Sequence, residues 1–140
     1  MAALFRMEVH TPYRLFFAGS VETVVAELAD GEIGILAGHS PFLAPLKTCA
    51  LRVLKEDGIW AEAAVSAGVV AVDEDGVTVL SDAAEWPEEI DRERALEAER
   101  RAKETLGQDP FTFEKAQAQE ALRRALNRLA VKERAGEAKP

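Results

Sequence analysis

The chain predicts a mainly β domain followed by a pair of α-helices, and three observations carry that prediction. Short apolar or alternating runs recur through the first 84 residues, and glycine-bearing turn signals separate them. After Trp86-Pro87 the composition shifts abruptly to alanine, glutamate and arginine, which is helix-forming chemistry. The chain has 140 residues, of which 48% are hydrophobic, enough for one ordinary core plus an appendage.

The β half reads as runs over Leu4 to Val9, Tyr13 to Ala18, Val21 to Leu28, Ile33 to Leu36, Cys49 to Lys55, Ile59 to Ser66, Val69 to Asp73 and Val77 to Leu80. Such spacing predicts a sandwich or barrel. Asp30-Gly31, Asp57-Gly58 and Asp75-Gly76 place glycine where tight turns need positive φ, and the last two sit between runs that can pair as hairpins. Val77 and Val79 are expected to face inward with Thr78 outward, whereas Val69-Val70-Ala71-Val72 is apolar on both faces and is placed between two layers. Cys49, the only cysteine, excludes an internal disulfide; at the start of a strand it reads as a buried, inert thiol. His10 and His39 are far apart and lack neighbours at zinc-ligand spacing, so no metal site is expected. His39, in the turn Gly38-His39-Ser40-Pro41, is expected to fix local backbone.

The helical half begins after a boundary near Ala84 to Glu88. Pro87 suits a first-turn position, and Glu88, Glu89 and Asp91 put negative charge where the first helix starts. Gly107 stops that helix and Pro110 prevents its continuation. The second helix starts between Asp109 and Phe113 and runs to about Arg134, leaving Ala135 to Pro140 as a frayed tail. The divisions are therefore 1–84 for the sandwich, 85–89 for a linker, 90–134 for an antiparallel hairpin and 135–140 for the tail. Ala95, Ala98, Ala102 and Leu106 face Ala118, Leu122, Ala125 and Leu129 at helical spacing. Alanine buries little, about 0.8 kcal/mol per methyl-sized group, so this interface is weak enough to open as a switch; equally, the stripe reads as a mark of an alanine-rich proteome.

A net charge of −8 argues against a nucleic-acid binder. Its distribution is uneven: residues 1 to 84 carry −7, residues 85 to 110 carry −4 and residues 111 to 140 carry +3. The basic end suits an acidic partner, an acidic body or a phosphate. No run of eighteen apolar residues and no signal peptide are visible, which predicts a soluble, cytosolic chain without membrane insertion. No nucleophile with a base, carboxylate pair or phosphate-cradling glycine loop marks an enzyme.

Asp91 and Arg94 lie one turn apart, Arg101 two turns beyond Arg94, and Arg124 and Arg128 one turn apart on the second helix. In an antiparallel hairpin these guanidinium groups can converge on a groove and call for a bridging anion. The alternative is that Glu85, Glu97, Glu120 and Asp91 neutralise them as ordinary surface pairs.

The segment Asp30-Gly31-Glu32-Ile33-Gly34-Ile35-Leu36-Ala37-Gly38-His39-Ser40-Pro41, with Val9-His10-Thr11-Pro12 before it and Ile90-Asp91-Arg92-Glu93-Arg94-Ala95 after it, resembles the epsilon subunit of bacterial F-type ATP synthases from about Phe5 to Val131. The resemblance implies a ten-stranded sandwich of two five-stranded sheets that sits on the gamma subunit and on the c subunits of the membrane rotor ring, with Glu32 and His39 as ring contacts. It also implies a mobile C-terminal hairpin. In ATP-binding members a motif of Ile or Leu, Asp, two variable residues, Arg and Ala opens the first helix. Carried over residue by residue, the ATP site comprises Glu85, Ile90, Asp91, Arg94, Ala95, Arg101, Arg124 and Arg128, which turns the balance toward the converging-arginine reading. ATP is then a regulatory ligand and no cofactor is required. Without ATP the helices extend along gamma, and Arg123, Arg124, Arg128 and Lys132 contact the alpha and beta subunits to block hydrolysis. The implied protein is a non-catalytic rotor subunit, peripheral at the cytoplasmic face of the cell membrane. Two other readings stay open: the same subunit with a hairpin that binds no nucleotide, and an unrelated sandwich adaptor with a helical arm. Departures from the family pattern are modest: Ala37 stands where proline is common, Cys49 where glycine is common, and Ala67-Gly68 where glycines are paired.

Overall fold

The structure, a computed structural model, describes residues 3–137. The chain divides into two compact units between Glu85 and Trp86.

The first unit holds nine strands among the described residues: β1 Phe5–His10, β2 Leu15–Leu28, β3 Gly31–Leu36, β4 Phe42–Leu46, β5 Cys49–Lys55, β6 Trp60–Val65, β7 Gly68–Asp73, β8 Gly76–Ser81 and β9 Ala84–Glu85. The 14-residue β2 serves both layers. Its first half pairs with β1, and beyond a register shift between Val21 and Thr23 its second half lies between β3 and β5. One layer therefore runs β2–β1–β8–β7–β4 and the other β3–β2–β5–β6–β9. Ten strands were expected and nine are found because the predicted runs Tyr13–Ala18 and Val21–Leu28 are one continuous strand; counted by its halves, each layer has five members. Gly19-Ser20, the gap between those two runs, continues β2, with Gly19 opposite Met7 and Ser20 opposite Arg6.

Two strands escape the sequence reading. β4 contains Pro45, which argues against a central strand, but β4 meets β2 only at Leu28–Leu46 and Pro45 itself is paired only with Val69 of β7, so a missing donor is tolerated on its other side. β9 has only two residues and gains its strand character from pairing with Ala64 and Val65.

Inward residues alternate along the strands, as period-two geometry requires. Met7, Val9, Val21, Val24, Ile35, Leu51, Val53, Val70, Val77 and Val79 are all buried, and Thr78 is only half-buried between Val77 and Val79, as expected. Val69 and Ala71 are also half-buried, so β7 alternates like its neighbours. Its apolar run reflects the preference of β-branched residues for strands rather than burial on both faces. Cys49 opens β5 and is buried, and the loss of hydration pushes its thiol up to about 11. A pKa raised on folding contributes stability present below about pH 9 and lost as pH rises toward 11. We expect stability to fall by up to about 1.4 kcal/mol per pH unit across that window. Denaturant melts of the wild type and Cys49→Ala should converge as pH rises if the thiol is the cause.

Tight turns use the predicted glycines. Gly31, Gly58 and Gly76 have φ of 122°, 80° and 137°, and Asp73 Oδ1 accepts from the amides of Asp75 and Gly76. His10 has one carboxylate neighbour: its Nε2 lies 2.8 Å from Glu8 Oε1. That hydrogen bond, with Arg6 nearby, holds the Glu8 carboxyl below its ordinary range.

The second unit opens with a 3-10 turn, Pro87–Glu89, followed by α1 Arg92–Gly107 and α2 Thr112–Glu137. The Trp86 amide donates to Glu89 Oε1, and Asp91 caps α1 by accepting from the Arg94 amide at 3.1 Å. Gly107 ends α1 as expected. Asp109 then adopts φ of 50°, a left-handed conformation that aspartate tolerates better than most residues. α2 continues past Arg134: Ala135, Gly136 and Glu137, expected as frayed tail, remain helical, with no proline among them to break the ladder. Residues 138–140 of that tail lie outside the described residues.

Candidate functional site

The helix pair is lined on its inner faces by small residues. Ala95 and Ala102 of α1 and Ala118 and Ala125 of α2 are buried, while Leu106, Leu122 and Leu129 are only half-buried. Alanine lets the two helices approach closely along this seam, and a groove of about 590 Å³ runs between them. That volume falls within the ~300–1,000 Å³ range of small-molecule sites. Its walls carry Arg94, Ala98, Arg101, Ala102 and Thr105 from α1 and Glu114, Gln117, Ala118, Ala121, Arg124, Ala125 and Arg128 from α2.

Four predicted ligands, Arg94, Arg101, Arg124 and Arg128, thus meet in one groove. The carboxylates proposed as neutralising partners are largely engaged elsewhere. Glu97 receives two hydrogen bonds from Arg100, at 2.7 and 3.1 Å, which hold its carboxyl below the ordinary range, and stands 3.5 Å from Arg101. Glu120 pairs with Arg123 at 3.0 Å. The Asp91 carboxylate is turned to the helix backbone as a cap. Among the described residues, the Arg94 and Arg124 guanidinium groups have no ion-pair partner, while Arg128 does interact with other groups. Glu114 is the one carboxylate in the wall, against four guanidinium groups. Cations held together in this way attract a polyanion, and arginine forks suit phosphate oxygens.

The other predicted ATP ligands lie outside the groove wall. Ile90 and Ala95 are buried, at 3% and 0% exposure, and act as packing residues here. Asp91 is the α1 cap. Glu85 ends β9 in the sandwich unit, paired in register with Ala64. Capping explains why an aspartate precedes the helix, and removing it costs about 1 kcal/mol. Asp91→Ala should therefore lower helicity and melting temperature, and Asp91→Asn, which keeps the cap, should not. Circular dichroism melts of both variants check this.

Sequence reasoning missed Thr105, Glu114 and Gln117. The signal was present, because Thr105 continues the α1 face of Arg94, Ala98 and Arg101, while Glu114 and Gln117 precede Ala121, Arg124 and Arg128 on α2.

The expected inhibitory set divides in two. Arg124 and Arg128 face the groove, whereas Arg123 lies outside it against Glu120, and the Lys132 ammonium donates to the Pro87 carbonyl at 3.0 Å. In the sandwich unit, Glu32 is exposed at the start of β3 and is ion-paired to Arg52 of β5, a partner not foreseen. Both strands flank β2, which brings the two side chains together on one face. His39 Nδ1 donates to the Ser40 carbonyl at 2.9 Å, and the ring meets Phe42 edge-on at 5.3 Å. The ring also borders a 260 Å³ pocket with Phe5, Ile35 and Pro41.

A β-sandwich joined to a two-helix unit whose groove gathers four arginines defines the class: a two-domain protein with a helical arm. The sequence profile of the ATP synthase delta/epsilon chain β-sandwich domain matches residues 4–87, and that of the delta/epsilon chain long α-helix domain matches residues 88–133. The ATP synthase epsilon chain of Caldicellulosiruptor saccharolyticus is 50% identical over 129 residues, covering 91% of this chain and 92% of that one. The epsilon chain of Caldanaerobacter subterraneus is 47% identical over 131 residues, covering 94% and 95%. Among solved structures, a chain of the Euglena gracilis mitochondrial ATP synthase, determined as OSCP/F1/c-ring, superimposes with a TM-score of 0.78 at 25% identity, covering 96% of this chain and 82% of that one. The chain belongs to the delta/epsilon family of ATP synthase subunits, on its epsilon branch, and is a non-catalytic member of that complex. No helix among the described residues is long and apolar enough to cross a membrane.

Proposed function

We propose that the chain is a rotor subunit of the central stalk, peripheral at the cytoplasmic face of the cell membrane, whose helix pair gauges ATP and restrains hydrolysis. The sandwich contacts the gamma subunit and the c subunits of the rotor ring, with Glu32 and His39 on the ring side. ATP acts as a regulatory ligand and no cofactor is required. The observation that carries this reading is the groove with four arginines, two of them without a carboxylate partner among the described residues. A triphosphate bound there relieves the repulsion among the guanidinium groups and favours the closed pair by RT ln(1 + [L]/Kd). Ile90, Asp91 and Ala95 support the site through packing and capping.

When ATP is scarce the pair opens, and α2 extends toward the alpha and beta subunits. Its 26 residues span about 39 Å at ~1.5 Å per residue, and Arg123, Arg124, Arg128 and Lys132 then meet acidic segments of the catalytic head.

Isothermal titration of the isolated chain with ATP tests the gauge. Saturable one-to-one binding supports it, and the absence of heat with a folded chain leaves the alternative of a hairpin that inhibits without nucleotide. ATPase assays of the complex reconstituted with residues 1–86 alone test the brake: hydrolysis should rise relative to the full chain, and equal rates would refute it.

A further inference from the structure

We propose that Lys132 is a clasp that fixes how much of the helix pair is closed before any nucleotide arrives. The inference rests on the reading that the pair opens, and is independent of whether ATP binds.

The lengths of the helices create the clasp. From Gly107 back to Arg92, α1 rises about 22 Å, whereas α2 rises about 30 Å from Thr112 to Lys132. The second helix therefore overshoots the start of the first and reaches the 3-10 turn that precedes it. There the Lys132 ammonium donates to the Pro87 carbonyl at 3.0 Å in a part-buried setting. The same carbonyl accepts the Ile90 amide at 3.1 Å, which closes the turn. The turn is braced from its other end by the Trp86 amide on Glu89 Oε1. The acceptor is thus held in place on a short rigid element, and Pro87, with φ restricted by its ring, adds to that stiffness.

Among the described residues, Pro87 is the one polar partner of the Lys132 side chain. Pivoting the helices apart about the loop between Gly107 and Thr112 must break this bond, however the groove is filled. The groove and the clasp are two separate fastenings at different heights on the pair. The clasp also makes two uses of one ammonium mutually exclusive: engaged with Pro87 it holds the pair shut, and released it is free to meet an acidic partner.

Hydrogen exchange of the full chain in nucleotide-free buffer tests the proposal, comparing wild type, Lys132→Met and Lys132→Arg. Loss of one charge-assisted bond predicts α2 amides exchanging about three- to tenfold faster in Lys132→Met, with Lys132→Arg within about twofold of wild type and sandwich amides unchanged. Wild-type exchange in Lys132→Met would overturn the clasp, as would equal acceleration of the sandwich amides, which marks general destabilisation. Repeating the wild-type measurement with ATP separates the readings: if ATP leaves α2 exchange unaltered while Lys132→Met accelerates it, the nucleotide gauge fails and the clasp stands.

Discussion

Gly76→Ala should lower the melting temperature of the sandwich by at least about 12 °C, corresponding to about 3 kcal/mol or more for a unit of this size. Gly76 has φ of 137°, outside the range that residues with a Cβ adopt at low cost, and a Cβ there would lie 2.0 Å from the Arg6 carbonyl oxygen. That oxygen is backbone in β1, which pairs in parallel with β8 at this register, Arg6 opposite Gly76. Relief requires parting the two strands, and their inward residues Met7, Val9, Val77 and Val79 are core. Gly34→Ala is the matched control. An added Cβ at Gly34 meets nothing within 4 Å and its φ is ordinary, so the change should stay within about 1 kcal/mol. Thermal melts in which the two variants shift equally would show that close approach at the β1–β8 pair is not what Gly76 provides.

Arg94→Ala and Arg124→Ala should each weaken ATP binding about tenfold or more, the effect of removing a charge-assisted phosphate contact of roughly 1.5–3 kcal/mol. These two arginines are the sharpest choices because neither has an ion-pair partner among the described residues, so no carboxylate is released by removing them. Arg100→Ala supplies the contrast. Its guanidinium spans Glu97 and Glu104 on the exposed face of α1 and lines no part of the groove, so affinity should change by less than about twofold. Calorimetry giving unchanged affinity for both groove variants would refute the site while leaving family membership intact.

The local chemistry of the fold was legible wherever one rule acted alone. Asp57-Gly58 and Asp75-Gly76 marked hairpins because positive φ demands glycine, and β5–β6 and β7–β8 pair accordingly. Helical spacing showed that the four groove arginines can share one groove, and the family resemblance, not the spacing, turned the balance against their neutralisation by carboxylates. What stayed hidden depended on contacts between distant segments. Pro45 concealed β4 because which side of a strand position goes unpaired is a property of the whole layer. β9 was invisible because two residues carry no period. Arg52 gave no sign as the partner of Glu32, since that pair needs the registers of β2 with β3 and of β2 with β5 together. Asp91 illustrates a different difficulty. The motif that drew attention to it is satisfied, yet its carboxylate has a sufficient local reason to be there as a cap.

The continuous β2 strand bears on how a rotating assembly stresses this unit. Most sandwiches join their sheets through loops and side-chain contact, so a sideways force is resisted by packing that can slip. Here one unbroken backbone passes from one sheet to the other at the Val21–Thr23 irregularity. Torque entering through either sheet reaches the opposite one along covalent bonds and ladder hydrogen bonds, which gives the unit the stiffness of a keyed shaft coupling rather than that of two stacked plates.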